Sequence, residues 1–126
     1  MELSFAPMEG ITYSTYRRLH AELFGGADHY YAPFIAPDST GRFKAGNLRD
    51  VLPENNAGLH LVPQLLCNAP APFLAVAEEL KALGYEEVDL NIGCPSGTVV
   101  SKGRGAGFLR NPDMLSWMRK SAAAER

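Results

Sequence analysis

The 126-residue sequence lacks several features that would define a function class at once. It has only two cysteines, Cys67 and Cys94, which lie far apart in unlike surroundings, so neither a disulfide framework nor a paired zinc site is indicated. Its three histidines, His20, His29 and His60, do not have metal-ligand spacing. We therefore expect two free thiols and no metal.

Strong charge and long apolar runs are also missing. The formal net charge of −2 offers little attraction to nucleic acid or to an anionic membrane, so any RNA contact has to come from a local basic patch. No apolar run approaches the ~18 residues that a membrane span needs, and the N-terminus has no basic segment followed by a long apolar one. We expect a folded protein of the cytoplasm that does not enter a membrane.

Short apolar runs alternate with helical patterns along the chain. Four strands are predicted, at Leu3–Ala6, His29–Ala32, Leu59–Cys67 and Glu87–Ile92. Helices are predicted from Tyr13 to Phe24, from Pro70 to Leu83, and from an N-cap at Asn111 through Pro112 to Arg126. Ile35 to Asn56 is predicted to be a long connection with one helical turn at Asn47 to Leu52, and Gly93 to Gly107 a glycine-rich loop.

This alternation predicts an α/β protein with a parallel sheet built from right-handed β/α units. Two architectures fit it, an open doubly wound sheet and a (β/α)₈ TIM barrel that is cut short, and periodicity does not distinguish them. A complete barrel usually takes about 250 residues, so on the second interpretation the chain is a partial TIM barrel with about the first four strands of eight.

Two residues near the carboxyl ends of the predicted strands could carry chemistry, because the loops there project into one shared space. Gln64 interrupts an apolar strand, and its amide needs partners that either a planar heterocycle or neighbouring groups could supply. Cys94 follows the fourth strand, and a free cysteine, with a pKa of about 8.5, is a thiol that can act as an acid at neutral pH. The alternative for Cys94 is a small buried hydrophobe, which is what we predict for Cys67.

The glycine-rich loop carries two cations, Lys102 and Arg104. Its glycines follow neither the order of a P-loop nor that of a dinucleotide-binding turn, and no serine-hydrolase motif occurs in the chain. The two cations could contact RNA phosphates or could be solvated surface charges. Arg42 and Lys44 on the long connection suggest the same pair of alternatives.

Three motifs resemble those of one enzyme family. The segment Leu90-Asn91-Ile92-Gly93-Cys94-Pro95, continued by Val99, Lys102, Gly105-Ala106-Gly107 and Leu109, resembles the signature of the tRNA-dihydrouridine synthases. Ala6-Pro7-Met8-Glu9-Gly10 after the first strand and Pro63-Gln64-Leu65 in the third resemble two further motifs of that family. Together the motifs cover essentially the whole chain.

The resemblance implies an FMN enzyme on a TIM barrel that reduces a uridine of tRNA to 5,6-dihydrouridine, with NADPH as the electron donor. The cofactor would supply the hydride and the protein would supply position and a proton to a base taken out of its stack. Cys94 would be catalytic, donating a proton to C5 of uracil after hydride transfer to C6. The resemblance gives the cofactor-binding residues as Pro7, Met8, Glu9 and Gln64. The substrate-binding residues would be Asn91, Lys102 and Arg104.

The same resemblance makes residues 1–126 the N-terminal part of an FMN-binding catalytic domain. The family's later lysine and histidine near the flavin, its phosphate-binding loops and its helical RNA-binding domain have no counterpart here. An open half-barrel would leave an apolar edge uncovered, which favours self-association. We expect the isolated chain to bind FMN weakly and to be inactive.

Two other functions stay open at this point. A flavin barrel similar to dihydroorotate dehydrogenase also places Asn and Cys-Pro after a strand, but its small acidic substrate would not need the basic loop. A truncated, non-catalytic module for binding or assembly is the second alternative. Dependence of NADPH oxidation on tRNA distinguishes the first of these from a tRNA enzyme, and self-association without flavin favours the second.

Overall fold

The computed structural model describes residues 1–124, in which short parallel strands alternate with helices. The strands are β1 (Ser4–Phe5), β2 (His29–Tyr31), β3 (Leu61–Val62), β4 (Gln64–Leu65) and β5 (Asp89–Leu90). The α-helices are α1 (Ser14–Leu23), α2 (Ala45–Val51), α3 (Pro70–Ala82), α4 (Gly97–Val100) and α5 (Pro112–Ala124). Two 3₁₀ helices span Pro53–Asn56 and Gly105–Arg110.

The strands form two small parallel sheets with the orders β1-β2-β3 and β4-β5. A bridge between Ile35 and Leu65 links the two sheets, so that the four predicted strand segments lie side by side in chain order. The prediction of an α/β protein with parallel strands is therefore confirmed.

The third predicted strand is divided in two at Pro63. Proline has no N–H to donate to a ladder, but the carbonyl of Pro63 still accepts a hydrogen bond from the backbone N–H of Asp89, at 2.9 Å. All residues from 61 to 67 are buried, as expected for a strand that is covered on both faces. The fourth strand is shorter than the predicted Glu87–Ile92, because its ladder with β4 contains only two residue pairs.

The helical predictions are confirmed at the ends that local signals define. The side-chain Oδ1 of Asn111 accepts a hydrogen bond from the N–H of Met114, at 3.2 Å, and caps α5. The predicted turn at Asn47–Leu52 corresponds to α2. The last two residues of the predicted C-terminal helix, 125 and 126, lie outside the described residues.

The prediction that Gly93 to Gly107 is a loop is wrong in part. The carbonyl of Ser96 accepts hydrogen bonds from Val99 and Val100, at 3.0 and 2.8 Å, and these bonds form the short helix α4 within the segment. The left-handed conformation that glycine favours is used at Gly103 and Gly105, with φ of 66° and 55°. A high glycine content therefore did not exclude helical turns in this segment.

The core lies between the sheet and α3. Phe73, Val76 and Leu80 on α3 are buried in one cluster with Leu65 and Cys67. Cys67 is 1% exposed, which confirms its prediction as a core residue. Of the helices in residues 1–124, none has the length and apolar character that spanning a membrane requires.

The helix α1 is confirmed, but it buries an unexpected side chain. Its apolar residues Tyr16, Leu19 and Leu23 are 46%, 51% and 70% exposed, whereas Arg17 is fully buried. The guanidinium donates to Asp50 Oδ2 at 3.0 Å, to the Asp50 carbonyl at 2.8 Å and to Thr12 O at 2.8 Å. It also donates to Asn56 Oδ1, at 2.8 Å from Nη2. A buried charge is tolerated when it is paired and hydrogen-bonded in this way.

Candidate active site

A chain of side-chain hydrogen bonds joins β4 to the loop after β5. Gln64 Nε2 donates to Asp89 Oδ2 at 2.6 Å, and Asn91 Nδ2 donates to Gln64 Oε1 at 3.0 Å. Asn91 Oδ1 accepts from the backbone N–H groups of Gly93 and Cys94, at 3.2 and 3.0 Å. We call Asp89, Gln64 and Asn91 the amide chain.

Strand register explains why these side chains meet. Gln64 pairs directly with Asp89 in the parallel ladder, and Asn91 lies two residues further along the same strand direction. Because alternate side chains of a strand point to the same face, Asp89 and Asn91 both face Gln64. Gln64, Asn91 and Cys94 were predicted from the sequence, and the structure brings them together. Asp89 was not predicted from the sequence.

Gln64 is almost fully buried, with 9% exposure, and its amide is engaged on both sides by neighbouring side chains. An amide nitrogen has two hydrogens and an amide oxygen two lone pairs, so one position on each atom is still available. Gln64 can therefore belong to the amide chain and still bind a ligand with a donor beside an acceptor.

Cys94 is a half-buried free thiol on the loop that leaves β5. Its carbonyl accepts a hydrogen bond from Ala106 N–H, at 3.0 Å. A Cβ atom at Gly105 would lie 2.6 Å from that carbonyl oxygen and 2.8 Å from Val99 Cγ1. Glycine at position 105 is therefore what allows the basic loop to fold back against Cys94.

Pro7, Met8 and Glu9 lie in a tight turn after β1. The Met8 N–H donates to Thr12 Oγ1 at 2.7 Å, and the Met8 carbonyl accepts from Thr12 N–H at 3.0 Å. The turn thus uses the polar backbone atoms of Met8, while its side chain is 58% exposed. Arg17 donates a hydrogen bond to the Thr12 carbonyl and so helps to hold this turn. Neither Thr12 nor Arg17 was identified from the sequence.

The turn after β1 and the amide chain lie at the same edge of the sheet but do not meet. β2 separates them, and no hydrogen bond in residues 1–124 joins Met8 or Glu9 to the amide chain. Glu9 lines a separate polar cavity of about 120 Å³ with Tyr13, Lys44 and Asp50. This volume is below the ~300 Å³ of small ligand pockets and suits a few water molecules.

The basic loop, which carries the two predicted cations Lys102 and Arg104, follows α4 and lies beside a cleft. The Lys102 side chain is exposed and that of Arg104 half-buried, and neither takes part in an ion pair within the described part of the chain. Asn68 Nδ2 donates to the Lys102 carbonyl at 2.9 Å and so anchors the loop to the end of the third strand. Arg110, which the sequence analysis did not name, lines this cleft of about 300 Å³.

His20 and His29 are half-buried and His60 is exposed. The His20 Nδ1 lies 3.1 Å from the hydroxyl of the buried Tyr30, and the rings of His29 and His60 are 4.2 Å apart. Over residues 1–124, no three His, Cys, Asp or Glu side chains converge in an arrangement that could hold a metal ion.

Among the titrating groups of the described residues, two have a shifted pKa, and neither belongs to the amide chain. A hydrogen bond from the Thr40 hydroxyl, together with the backbone N–H groups of Arg42 and Thr40, lowers the pKa of Asp38 below its usual 3.8. Burial raises the pKa of the Tyr85 hydroxyl above its usual 10.0. Tyr85 Oη donates to the Val51 carbonyl at 2.6 Å, which joins the segment before β5 to α2.

A parallel α/β fold that gathers polar side chains and a thiol at the carboxyl ends of its strands has the arrangement of an enzyme of the α/β class. The sequence profile of the family "Dihydrouridine synthase (Dus)" matches residues 4–124. The chain therefore belongs to the dihydrouridine synthase family, which confirms the resemblance seen in its motifs.

Individual relatives agree with this assignment. A probable tRNA-dihydrouridine synthase of Rhodobacter capsulatus is 33% identical over 108 residues, which are 86% of this chain and 33% of the relative. Proteins with the same description from Staphylococcus aureus (strain COL) and Staphylococcus epidermidis (strain ATCC 12228) are each 27% identical, over 88% and 94% of this chain. The chain spans about a third of the length of these relatives, with 33%, 34% and 36% of them covered.

Proposed function

We propose that this chain supplies the Cys94 side of the active site of a tRNA-dihydrouridine synthase. The reaction is the FMN-dependent, NADPH-driven reduction of a uridine in tRNA to 5,6-dihydrouridine, in the cytoplasm. The observation that carries the proposal is the amide chain, which holds the Cys94 backbone beside Gln64 and Asn91 at the carboxyl end of β5.

The residues present fit a flavin ring. Gln64 keeps one N–H and one lone pair for a ligand, and this pair matches the alternating donors and acceptors of the isoalloxazine edge. The exposed Met8 side chain, between Pro7 and Glu9, offers an apolar surface for the face of a planar ring. Pro7, Met8, Glu9 and Gln64 are the proposed cofactor contacts, and FMN when bound supplies the hydride for C6 of uracil.

Cys94 is the proposed proton donor. The double bond between C5 and C6 of uracil gains a hydride at C6 and a proton at C5, and the Cys94 thiol gives that proton. The thiolate that remains regains a proton from solvent, which the half-buried position of Cys94 allows. Asn91 hydrogen-bonds the uracil, and it is held in place by its bonds to Gln64 and to the Cys94 N–H.

Lys102 and Arg104 are the proposed contacts for tRNA phosphates. The chain carries a formal net charge of −2, so attraction to RNA has to come from a local patch. The loop that carries these cations folds back on Cys94 through Gly105 and Ala106. The proposal is that these two side chains contact the phosphates of the nucleotide whose base reaches Cys94.

We propose that the fold is part of a TIM barrel. The segments lie side by side in chain order and all run parallel, which is the arrangement of consecutive barrel strands. Residues 1–126 would be the N-terminal part of the catalytic domain, and the isolated chain would bind FMN weakly and show no turnover. Activity then requires a protein that also contains the remaining strands.

A chimera tests this function directly. In it, this chain replaces the matching third of the Rhodobacter capsulatus relative, and NADPH oxidation and dihydrouridine formation are measured with and without tRNA. We expect tRNA-dependent turnover, which Cys94→Ala lowers at least about 100-fold. Cys67→Ala, which removes the other, buried thiol, is the matched control and should keep the activity. Turnover that does not need tRNA, or that survives Cys94→Ala, would contradict the proposal.

A further inference from the structure

We propose that Asp89 is a positioning residue that sets the orientation of the amide chain and, through it, the backbone of Cys94. Its significance for catalysis rests on the proposed function, but the positioning itself is a property of the folded chain. Asp89 is joined to Cys94 through two side chains, Gln64 and Asn91.

The carboxylate of Asp89 determines which way the Gln64 amide turns. An ionised carboxylate only accepts hydrogen bonds, and the 2.6 Å separation between Asp89 Oδ2 and Gln64 Nε2 is that of a short, charge-assisted bond. Gln64 must therefore turn its nitrogen toward Asp89. A glutamine amide has no such preference by itself, because its oxygen and nitrogen are nearly the same size.

The orientation of Gln64 in turn determines that of Asn91. With its nitrogen on Asp89, Gln64 presents its oxygen to Asn91, so Asn91 must donate through Nδ2, at 3.0 Å. Asn91 Oδ1 is then left for the backbone N–H groups of Gly93 and Cys94, which can only donate. One arrangement satisfies every group from the carboxylate to the backbone. The reversed one sets the Gln64 oxygen against the Asp89 carboxylate and the Asn91 NH₂ group against the backbone N–H groups.

The backbone of Cys94 is held at both of its polar groups. The N–H of Cys94 is fixed at one end by Asn91 Oδ1, and its carbonyl is fixed by Ala106 N–H. Both polar groups of the residue that carries the thiol are thus held, one of them through Asp89. The same orientation decides which of the open positions on Gln64 is a donor and which is an acceptor, so Asp89 also specifies the polarity that a bound ring must match.

Hydrogen exchange of the full 126-residue chain, observed by NMR without FMN or tRNA, tests this role. The readout is the protection of the Cys94 N–H compared with that of the Ala32 N–H, which bonds to Val62 O at 3.0 Å in the other sheet. A merely structural Asp89 would lower the protection of both amides together, whereas a positioning Asp89 acts on Cys94 alone.

Three variants are compared with the wild type. Asp89→Leu removes the acceptor, and we expect protection of the Cys94 N–H to fall about tenfold while that of Ala32 stays within about twofold. Asp89→Asn keeps an oxygen acceptor and should rescue most of the protection. Gln64→Met, of similar size but without an amide, should reproduce the loss and, if Asp89→Leu does not fold, provides the decisive comparison.

The proposal is overturned if the Cys94 N–H keeps its protection in Asp89→Leu or Gln64→Met, if the Ala32 N–H loses protection in parallel, or if Asp89→Asn behaves like Asp89→Leu. The outcome is independent of the chimera experiment. Selective loss of Cys94 protection together with an inactive chimera would remove the proposed function alone. Unchanged protection with an active chimera would remove only the role of Asp89.

Discussion

Gly105 packs directly against the backbone of Cys94. Its φ of +55° is one that L side chains rarely adopt, and a Cβ atom there would approach the Cys94 carbonyl oxygen to 2.6 Å. Conformational strain and steric overlap thus act at the same position. The contact partner is backbone, which cannot move aside in the way a flexible side chain can.

We therefore expect Gly105→Ala to lower the free energy of unfolding by about 1–3 kcal/mol, measured by urea denaturation. Gly46→Ala is the matched control, because Gly46 lies inside α2 with open space around its Cβ position. That control should raise stability by up to about 1 kcal/mol, since alanine favours helix over glycine. Equal effects of the two substitutions would show that the packing of Gly105 on Cys94 is unimportant.

Tyr85 gives the chain a dependence on alkaline pH. Burial raises the pKa of Tyr85 above its usual 10.0, so the folded chain holds the phenolic proton more tightly than the unfolded chain does. The resulting stability is complete below the unfolded pKa and is lost as pH rises through the folded pKa. In Tyr85→Phe we expect a smaller loss of stability between about pH 9 and about pH 11, measured by urea denaturation. The exposed Tyr16→Phe should retain the wild-type loss, and an identical pH dependence in all three proteins would contradict the assignment.

Among the secondary-structure elements, α1 is joined to its neighbours by a buried charge as well as by ring contacts of Tyr16 and His20 with Phe5. Arg17 links α1 to Asp50 in α2 and to Asn56 in the 3₁₀ helix that follows. Ser14 N–H also donates to Asp50 Oδ1, at 2.6 Å, so the Asp50 carboxylate bonds to both the first turn of α1 and the guanidinium.

Arg17→Met is expected to lower the free energy of unfolding by about 3–5 kcal/mol, because it leaves the buried Asp50 carboxylate without its cation. The exposed neighbour Arg18→Met is the control and should change stability by no more than about 0.5 kcal/mol. Thermal unfolding followed by circular dichroism measures both. A loss in Arg17→Met no larger than in Arg18→Met would mean that the cluster adds nothing to stability.

The elements that the sequence predicts well are those that local rules define. The buried face of α3 follows from apolar spacing, and the start of α5 follows from Asn111 and Pro112. Periodicity also predicted α1, but it does not reveal which face is buried. The partners of Arg17 are 33 and 39 residues away, so only the folded chain shows that a charged residue is the buried one.

The candidate site shows the same division. Motif resemblance identified Cys94, Gln64 and Asn91 because their spacing is unusual, whereas Asp89 is unremarkable as an acidic residue in a short strand. Its importance comes from pairing with Gln64, 25 residues away, in a register that the sequence does not specify. The sequence therefore predicted residues of the candidate site, and it left the contacts between them undefined.

The molecule as a whole has an open apolar groove beside β5. Leu90 and Ile92 from the β5 region, with Phe73, Leu115 and Met118 from α3 and α5, line this groove of about 510 Å³. β5 pairs with β4 along one edge, and within residues 1–124 it has no strand neighbour along the other. Apolar surface beside an unpaired strand edge is prone to pair with another chain.

We expect the isolated chain to self-associate through this groove. Sedimentation velocity should give a weight-average mass that rises above 13.7 kDa with concentration. Leu115→Glu, which places a charge in the groove, should shift the chain toward monomer. Leu109→Glu, at an exposed leucine outside the groove, is the control and should not. A mass of one chain at all concentrations would contradict this expectation.

The amide chain, the thiol and the glycine that packs on it are all contributed by residues 64–105, a single β-α-β unit with the loop that follows. One continuous segment of the chain therefore carries all of these residues. Recombination between related proteins that exchanges residues 64–105 as one segment keeps Asp89 with Gln64 and Gly105 with Cys94. An engineer who wished to install this thiol in another parallel α/β protein would do better to graft the whole unit than to introduce its side chains one at a time.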